Sequence, residues 1–214
     1  MNKKRNIFWF RRDLRLNDNR GLYEALIADK EVLPIFIFDQ EILNKLPKDD
    51  ARISYIHQEL ENINKQLNEI GSSLTVCIGR PKEVFSALSK KHEIDTVFCN
   101  HDYEPYAIQR DQEINELLSS KNIGFKSYKD QVIFERNEIT KKDGTAYKVY
   151  TPYSKKWLEA FEINGIQCFP SEDNLTKCVK NDSHQLPTLA EIGFKKSCQL
   201  LGSRWLIISI GKTG

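Results

Sequence analysis

Short apolar segments alternate with helical patterns along the first 135 residues. The apolar segments are bounded by turn residues and lie at 7–10, 32–38, 74–78, 96–99 and, less regularly, 132–134. The longest helical pattern places one apolar stripe on one face and stops at Gly71; the stripe is formed by Ile53, Ile56, Leu60, Ile63, Leu67 and Ile70. The alternation predicts an α/β fold, an open five-stranded parallel sheet with helices on both faces, doubly wound and Rossmann-like.

Turn residues indicate where the helices begin and end. Asn17 or Asp18 is expected to cap the first helix, and Pro81 is expected to open the helix after the third strand. Gly124 is expected to end a helix whose apolar stripe is formed by Ile108, Ile114, Leu117 and Leu118. Each predicted helix therefore fits between two predicted strands.

The alternation stops after residue 134, and this change predicts three parts. Residues 1–135 form an α/β domain. Residues 136–165 form a closing hairpin, with its turn at Asp143-Gly144, and a short helix packed on that domain. Residues 166–214 form an irregular polar connector and an atypical carboxyl terminus. Within the terminus, residues 205–210 have a strand-like pattern with nothing after it to pair with.

Composition narrows the class of protein without naming a function. Hydrophobic residues make up 40% and charged residues 29%, as in soluble globular proteins, and the net charge of +2 neither demands nor forbids nucleic acid. The five cysteines are widely spaced and form no C-x-x-C pair, which favours reduced thiols and a cytoplasmic location. No apolar run has the length of a membrane span or a signal peptide, so no membrane partner is expected.

Charged and aromatic side chains gather where the predicted strands end. In a parallel sheet these ends share one edge, and ligands bind beyond that edge. The candidate binding residues are Arg11, Arg12, Phe38, Asp39, Arg52, Asp102, Tyr103 and Glu104. The alternative for each of them is a structural role, in which it pairs with a neighbour or caps a helix. Taken together, they predict a ligand site with a polar rim.

The sequence lacks the common catalytic and metal-binding motifs. No G-x-G-x-x-G follows the first strand, no G-x-S-x-G is present, and the four histidines show no H-E-x-x-H spacing. No zinc-ligand set is found either. We therefore assign no catalytic residue and no metal ligand to this chain.

Several segments resemble the DNA photolyase/cryptochrome family, in the same order along the chain. They are "FWFRRDLRLNDNRGLYEAL", "VLPIFIFD", "NHDYEPYAIQRDQEI", "YKDQVIFERNEITKKDGTAYKVYTPYSKKW" and "LPTLAEIGF". The resemblance implies a two-domain flavoprotein whose amino-terminal α/β domain holds an antenna chromophore. Its carboxyl-terminal helical domain holds FAD and UV-damaged DNA, and the excited flavin splits a cyclobutane pyrimidine dimer.

The resemblance ends near Phe194, and "SRWLIISIGKTG" is unlike the family, which suggests a truncation or a frameshift. The family's FAD and DNA contacts lie in the helical domain, which this chain lacks, so we expect no DNA repair by this polypeptide alone. Its own partner is then expected to be a small-molecule chromophore. An exposed interdomain face would favour dimers.

The resemblance also implies which residues hold the antenna. Asp39, Arg52, Asp102 and Glu104 match the rim that deazaflavin or flavin antennas occupy in similar sequences. Arg11 and Arg12 belong to the family signature and are expected mainly to brace the rim. Members that bind folate carry an Asn-Glu pair where this chain has Tyr106 and Ala107. A deazaflavin or flavin is therefore favoured over a folate.

Two other functions stay open at this point. The parent protein could be a cryptochrome-type photoreceptor instead of a repair enzyme. The chain could also be a stand-alone nucleotide-binding α/β module that binds AMP or ATP, although the glycine-rich phosphate loop of that class is not seen near the last strand.

Overall fold

Five parallel strands form the centre of the molecule, which confirms the predicted fold class. The computed structural model describes residues 4–135, 137–180 and 185–197. The strands are β1 (Arg5–Phe10), β2 (Val32–Asp39), β3 (Thr75–Gly79), β4 (Ile94–Asn100) and β5 (Gly124–Tyr128). Their order across the sheet is β3-β2-β1-β4-β5, and every neighbouring pair is parallel. The order reverses between β1 and β4, so the crevice beyond these two strands is where a doubly wound sheet binds ligands.

Helices follow the strands. They are α1 (Arg20–Ile27), α2 (Gln40–Leu43), α3 (Ala51–Glu69), α4 (Pro81–Lys91), α5 (Pro105–Ser119) and α6 (Tyr150–Asn164), followed by a 3₁₀ helix (Ser171–Lys177). The cap of α1 is Asn19, whose side chain accepts from the backbone N–H of Leu22, and not Asn17 or Asp18 as expected. Asp18 instead takes a left-handed turn (φ 46°) that leads the chain into the helix. Prolines open both α4 and α5 because their missing N–H groups cost nothing there.

Two layers of apolar side chains cover the sheet, one on each face. Successive residues of a strand point to opposite faces, so Phe8 and Phe10 join one layer while Ile7 and Trp9 join the other. The first layer packs under α1 and α3, and the second packs under α4 and α5. All eight residues of β2 are buried, which explains its continuous apolar run.

The fifth strand is not where the apolar pattern indicated. Residues 132–134 form no strand; β5 is the segment before them, "GFKSY", which pairs with β4 at the edge of the sheet. None of its five residues is buried, so it carries no apolar run to detect. Gly124 begins this strand instead of ending a helix. A Cβ at this glycine would lie 2.8 Å from Oγ1 of Thr96, so only glycine allows the close pairing with β4.

The residues after β5 lie against the sheet with little burial of their own. The predicted turn at Asp143-Gly144 is present. The Lys141 N–H donates to the carbonyl of Thr145, and the Gly144 N–H donates to the carbonyl of Lys141. The described residues 137–149 nevertheless contain no paired strands. Helix α6 has no fully buried residue, and one side of it, with Trp157, Ala160 and Phe161, is half-buried. The 3₁₀ helix packs on α1, and Cys178 forms a parallel bridge to Val32. The strand pattern expected at 205–210 lies outside the described residues.

Candidate functional site

Arg11 lies directly after β1, and its side chain is engaged in contacts within the protein. Its guanidinium donates to both carboxylate oxygens of Asp111 on α5, at 2.7 and 2.6 Å, and to the backbone carbonyl of Asn100. The side chain is only 6% exposed and lies over the ring of Trp9, 5.0 Å from its centroid. A bidentate pair in a desolvated position fixes the start of the loop against α5. Arg11 therefore braces the edge of the sheet from beneath.

A buried network of polar side chains explains the residues that follow. Asp13 accepts from the side-chain amides of Asn100 (2.6 Å) and Asn19 (3.2 Å) and from the backbone N–H of Arg11 (2.9 Å). Asn100 in turn accepts from the N–H of Gly21 at 2.8 Å. These contacts tie the loop after β1 and the start of α1 to the end of β4. The charged loop is thus fastened across the switch point of the sheet.

Arg12 points outward and pairs with the loop after β4. Its Nη2 lies 2.7 Å from Oε1 of Glu104, and its Nε lies 3.5 Å from Oδ2 of Asp102. The Asp102 side chain is 8% exposed, whereas Arg12 and Glu104 are more than half exposed. Arg110 of α5 approaches the same Asp102 oxygen at 3.9 Å. The loop after β1 and the loop after β4 therefore meet across the crevice through charged groups.

Asp39 and Tyr106 close the other side of the crevice. The Tyr106 hydroxyl donates to Oδ2 of Asp39 at 2.6 Å, while Oδ1 of Asp39 accepts the N–H of Glu41 and caps α2. Burial and the hydrogen bond to Asp39 raise the pKa of Tyr106, so the hydroxyl remains a donor at neutral pH. The Arg110 guanidinium lies 5.9 Å from the Tyr106 ring centroid and 4.8 Å from that of Trp9.

One continuous set of contacts therefore joins the ends of β1, β2 and β4. We call it the rim cluster, and its members are Arg12, Asp39, Asp102, Glu104, Tyr106 and Arg110. Four of these residues are sequence-predicted site residues. The set carries two cations and three carboxylates, with buried hydrogen-bond acceptors at Asp39 and Asp102. Such a surface suits a planar ligand edge that offers both N–H donors and carbonyl acceptors.

Four sequence-predicted site residues lie outside the rim cluster. Phe38 is 3% exposed and packs edge-on against Phe36 in the core. Arg52 extends from the start of α3 and pairs with Asp50, its own helix cap, at 2.7 and 3.0 Å. Tyr103 donates from its hydroxyl to Glu135 at 3.0 Å. Arg11 lies beneath the rim rather than on it.

The sequence analysis did not assign site roles to Tyr106, Arg110 or Asp111. Their spacing carries the signal that could have found them, because Tyr106 and Arg110 are four residues apart on a helix that starts at the end of β4. Positions at that spacing share one helix face, and this face looks onto the sheet edge. No group of His, Cys, Asp and Glu in the described part of the chain has the arrangement of a metal site.

Comparison with known proteins gives a consistent family. The DNA photolyase family matches residues 6–173 of this chain. A deoxyribodipyrimidine photo-lyase from Synechococcus sp. is 29% identical over 194 residues, which cover 88% of this chain and 40% of the relative. Cryptochrome-2 of Arabidopsis thaliana is 30% identical over 159 residues, which cover 73% of this chain and 26% of the relative.

A solved structure gives the same result. An archaeal photolyase from Sulfolobus tokodaii, described with two FAD molecules and the implication of a novel light-harvesting cofactor, matches with a TM-score of 0.61. It is 31% identical, and the match covers 76% of this chain and 35% of that one. The chain thus spans well under half the length of these relatives. Separately, none of the helices described here is both long and apolar enough to cross a membrane.

Proposed function

This chain belongs to the DNA photolyase family, and we propose that it is the antenna-binding part of a photolyase-like flavoprotein that repairs cyclobutane pyrimidine dimers. The observation that carries the proposal is the rim cluster, which joins the ends of β1, β2 and β4 at the switch point of the sheet. Residues 1–135 would form the binding domain, residues 136–165 the element that closes it, and the rest a connector. A cytoplasmic location belongs to the same proposal.

The ligand we propose is a deazaflavin or flavin rather than a folate. The flavin ring system has an edge of alternating carbonyl and N–H groups, which match the Arg12 donors and the Asp39 and Asp102 acceptors. Two FAD molecules in the Sulfolobus relative support this choice. Tyr106 and Ala107 replace the Asn-Glu pair of folate-binding members, and Tyr106 is already engaged with Asp39.

We propose no dimer repair by this polypeptide alone. A catalytic FAD requires a deep, largely enclosed site, and flipping a damaged base requires a second pocket. In the family both belong to a helical domain beyond the segment matched here. Purified chain mixed with FAD and dimer-containing DNA should therefore show no light-dependent splitting, and measurable turnover would overturn this part of the proposal.

Ligand titration of two variants, one near each end of β4, tests the binding site. Asp102→Asn alters the carboxyl end of β4, and Asp95→Asn alters the amino end of the same strand as a matched control. We expect Asp102→Asn to weaken flavin or deazaflavin binding about fivefold to tenfold, since one charge-assisted contact is lost, and Asp95→Asn to leave it unchanged. Equal affinity in both variants and the wild type would remove the rim cluster from the site.

Thermal unfolding with different ligands separates the alternatives. A ligand at 100 times its Kd stabilises the folded protein by about 2.7 kcal/mol. Stabilisation by flavin but not by a folate supports the proposal, whereas stabilisation by ATP with none by flavin favours a stand-alone nucleotide-binding module. The 30% sequence identity to cryptochrome-2 of Arabidopsis thaliana keeps a photoreceptor parent as the second candidate. A repair assay on the longest natural form of the protein distinguishes the two parents.

Self-association is a further part of the proposal. Helix α6 exposes Tyr150 and Ile163 by 78% and 82%, so it offers an apolar surface that a second copy could cover. Sedimentation at two concentrations should show a larger species at the higher one. A single monomeric species at both would exclude dimers through this face.

A further inference from the structure

A cavity lies at the same sheet edge as the rim cluster, on the side of β5. Its volume is about 630 Å³, within the range of small-molecule sites. We call it the β5 cavity. It is enclosed by the loop after β1, the start of α1, the loop after β5 and the end of α6 with residues 165–169. No member of the rim cluster lines it, so it is separate from the proposed antenna site.

Two of the three cations that line the β5 cavity are neutralised by the protein itself. Arg15 donates to both oxygens of Asp130 at 2.8 and 2.9 Å. Lys129 lies 2.8 Å from both oxygens of Glu138. These pairs hold the loop after β5 in place but leave little charge for a ligand. The third cation is Arg20, at the first position of α1.

Arg20 is the exception among these cations. Within residues 4–135, 137–180 and 185–197, no group accepts a hydrogen bond from its side chain, and its Nε is buried without a partner. The guanidinium lies over the ring of Phe169 at 4.8 Å and near that of Tyr128 at 5.8 Å. Phe169 is itself held because its N–H donates to Asp18 at 2.8 Å. The guanidinium is thus fixed in place, and none of its donors is used by the part of the chain that the structure describes.

The walls around this guanidinium are apolar and accessible. Val132 and Ile133 are each 39% exposed, and Ile166 is 66% exposed. Phe134 completes the same wall and packs edge-on against Trp157. An exposed apolar surface next to a guanidinium with no hydrogen-bond acceptor among the described residues is a suitable surface for a molecule with an aromatic body and an anionic group.

We propose that the β5 cavity binds an aromatic anion of nucleotide size, such as a nucleoside 5′-monophosphate. Its phosphate lies on the Arg20 fork, and its base lies against the wall formed by Val132, Ile133 and Ile166. Guanidinium groups bind phosphate through two parallel hydrogen bonds, and the stacked position of Arg20 prepares that geometry. The inference shares no residue with the rim cluster and does not depend on the proposed antenna.

Calorimetric titration with AMP, adenosine and inorganic phosphate tests the site. We expect saturable binding of one AMP, with weaker binding of adenosine and of phosphate because each carries only half of the recognised chemistry. Arg20→Gln should weaken AMP binding about tenfold or more through loss of the bidentate contact. Arg12→Gln, in the rim cluster, is the matched control and should leave AMP affinity unchanged.

A second variant distinguishes loss of the binding site from misfolding of α1 in Arg20→Gln. Ala160→Trp fills the β5 cavity from α6 without touching Arg20, and it should also abolish AMP binding. Flavin affinity should be unchanged in both cavity variants, so failure of the antenna proposal and failure of this one give different results. Absence of saturable AMP binding, equal affinity in Arg20→Gln, or a loss confined to Arg12→Gln would each overturn the inference.

Discussion

Replacing Tyr106 with Phe should have opposite effects on stability and on ligand affinity. The substitution deletes the hydroxyl that donates to Oδ2 of Asp39 at 2.6 Å and leaves the ring in place. The other Asp39 oxygen stays engaged with the N–H of Glu41, and the residue is only 6% exposed. The freed oxygen therefore loses its donor at a position with limited access to water.

The magnitude follows from the cost of an unsatisfied buried acceptor. Leaving such a group without a donor costs about 1–3 kcal/mol. The free energy of unfolding of the ligand-free variant should therefore fall by about that amount, and its urea midpoint should be lower. In the proposed complex, a flavin N–H would compete with the Tyr106 hydroxyl for Asp39. In the variant the acceptor is vacant, and recovery of about 1.4 kcal/mol on binding would lower the Kd about tenfold.

The assay combines urea unfolding with titration of a flavin or deazaflavin, each on wild type and variant. Tyr55→Phe, at a 53% exposed tyrosine of α3, controls for the loss of a hydroxyl. Weaker ligand binding by Tyr106→Phe would show that the hydroxyl contacts the ligand instead of competing with it. Lower stability with unchanged affinity would show that Asp39 is not a ligand acceptor, and the reasoning would fail.

The pH dependence of the same pair has a definite sign. Burial, followed by the hydrogen bond to Asp39, raises the folded pKa of Tyr106 above its unfolded value of about 10. A raised pKa contributes stability below the unfolded value and loses it as the pH rises toward the folded one. Wild type should thus lose stability above about pH 10 more steeply than Tyr106→Phe. Parallel pH curves would contradict the assignment.

Three further predictions concern how the edge of the sheet is held together. Asp13→Ala should cost about 3 kcal/mol, a fall of about 1.5 M in the urea midpoint, because the amide of Asn100 loses a charged acceptor. A shift below roughly 0.5 M would contradict this prediction. Gly21→Ala should cost about 3 kcal/mol, since its Cβ would lie 2.6 Å from Oδ1 of Asn100, and an unchanged thermal midpoint would refute the close approach. Glu138→Gln should cost under about 1 kcal/mol at pH 7, because the carboxylate is 42% exposed. Burial acts to raise the pKa of Glu138, but hydrogen bonds, chiefly from Lys129, lower it overall. The greater stability of the wild type should therefore be present above about pH 4 and vanish as the pH falls further. A stability difference that grows in acid would contradict this prediction.

The sheet could be predicted from sequence wherever a strand is buried on both faces. The β2 run is apolar at every position because both layers cover it, and residues 7–10 behave in the same way. At the edge of the sheet the same reasoning selected residues 132–134 over "GFKSY". An edge strand pairs through its backbone on one side only and needs few buried side chains, so apolar content is a poor guide there. The apolar pattern therefore indicates which segments are buried, and not which segments form strands.

The candidate site was predictable as a place but not as a set of partners. Parallel strands must end at one edge, so Arg12, Asp39, Asp102 and Glu104 were expected near each other. Which of them touch depends on α5, whose Tyr106 and Arg110 bridge Asp39 to Asp102. Sequence alone does not fix the rotation of α5 about its axis, because its apolar stripe is short.

The charged residues directly after β1 have a structural role, which limits the groups that can select a ligand. Arg11 is paired with Asp111 beneath the rim, and Asp13 is enclosed by the amides of Asn19 and Asn100. Both side chains are nearly inaccessible to solvent and already hold buried contacts, so neither is positioned to contact a ligand. Selectivity must therefore come from the groups that can exchange partners cheaply. Those groups are the exposed Arg12–Glu104 pair and the Tyr106 hydroxyl. Substitutions on α5 and in the loop after β4 should therefore change ligand preference more than substitutions of the buried Arg11 and Asp13.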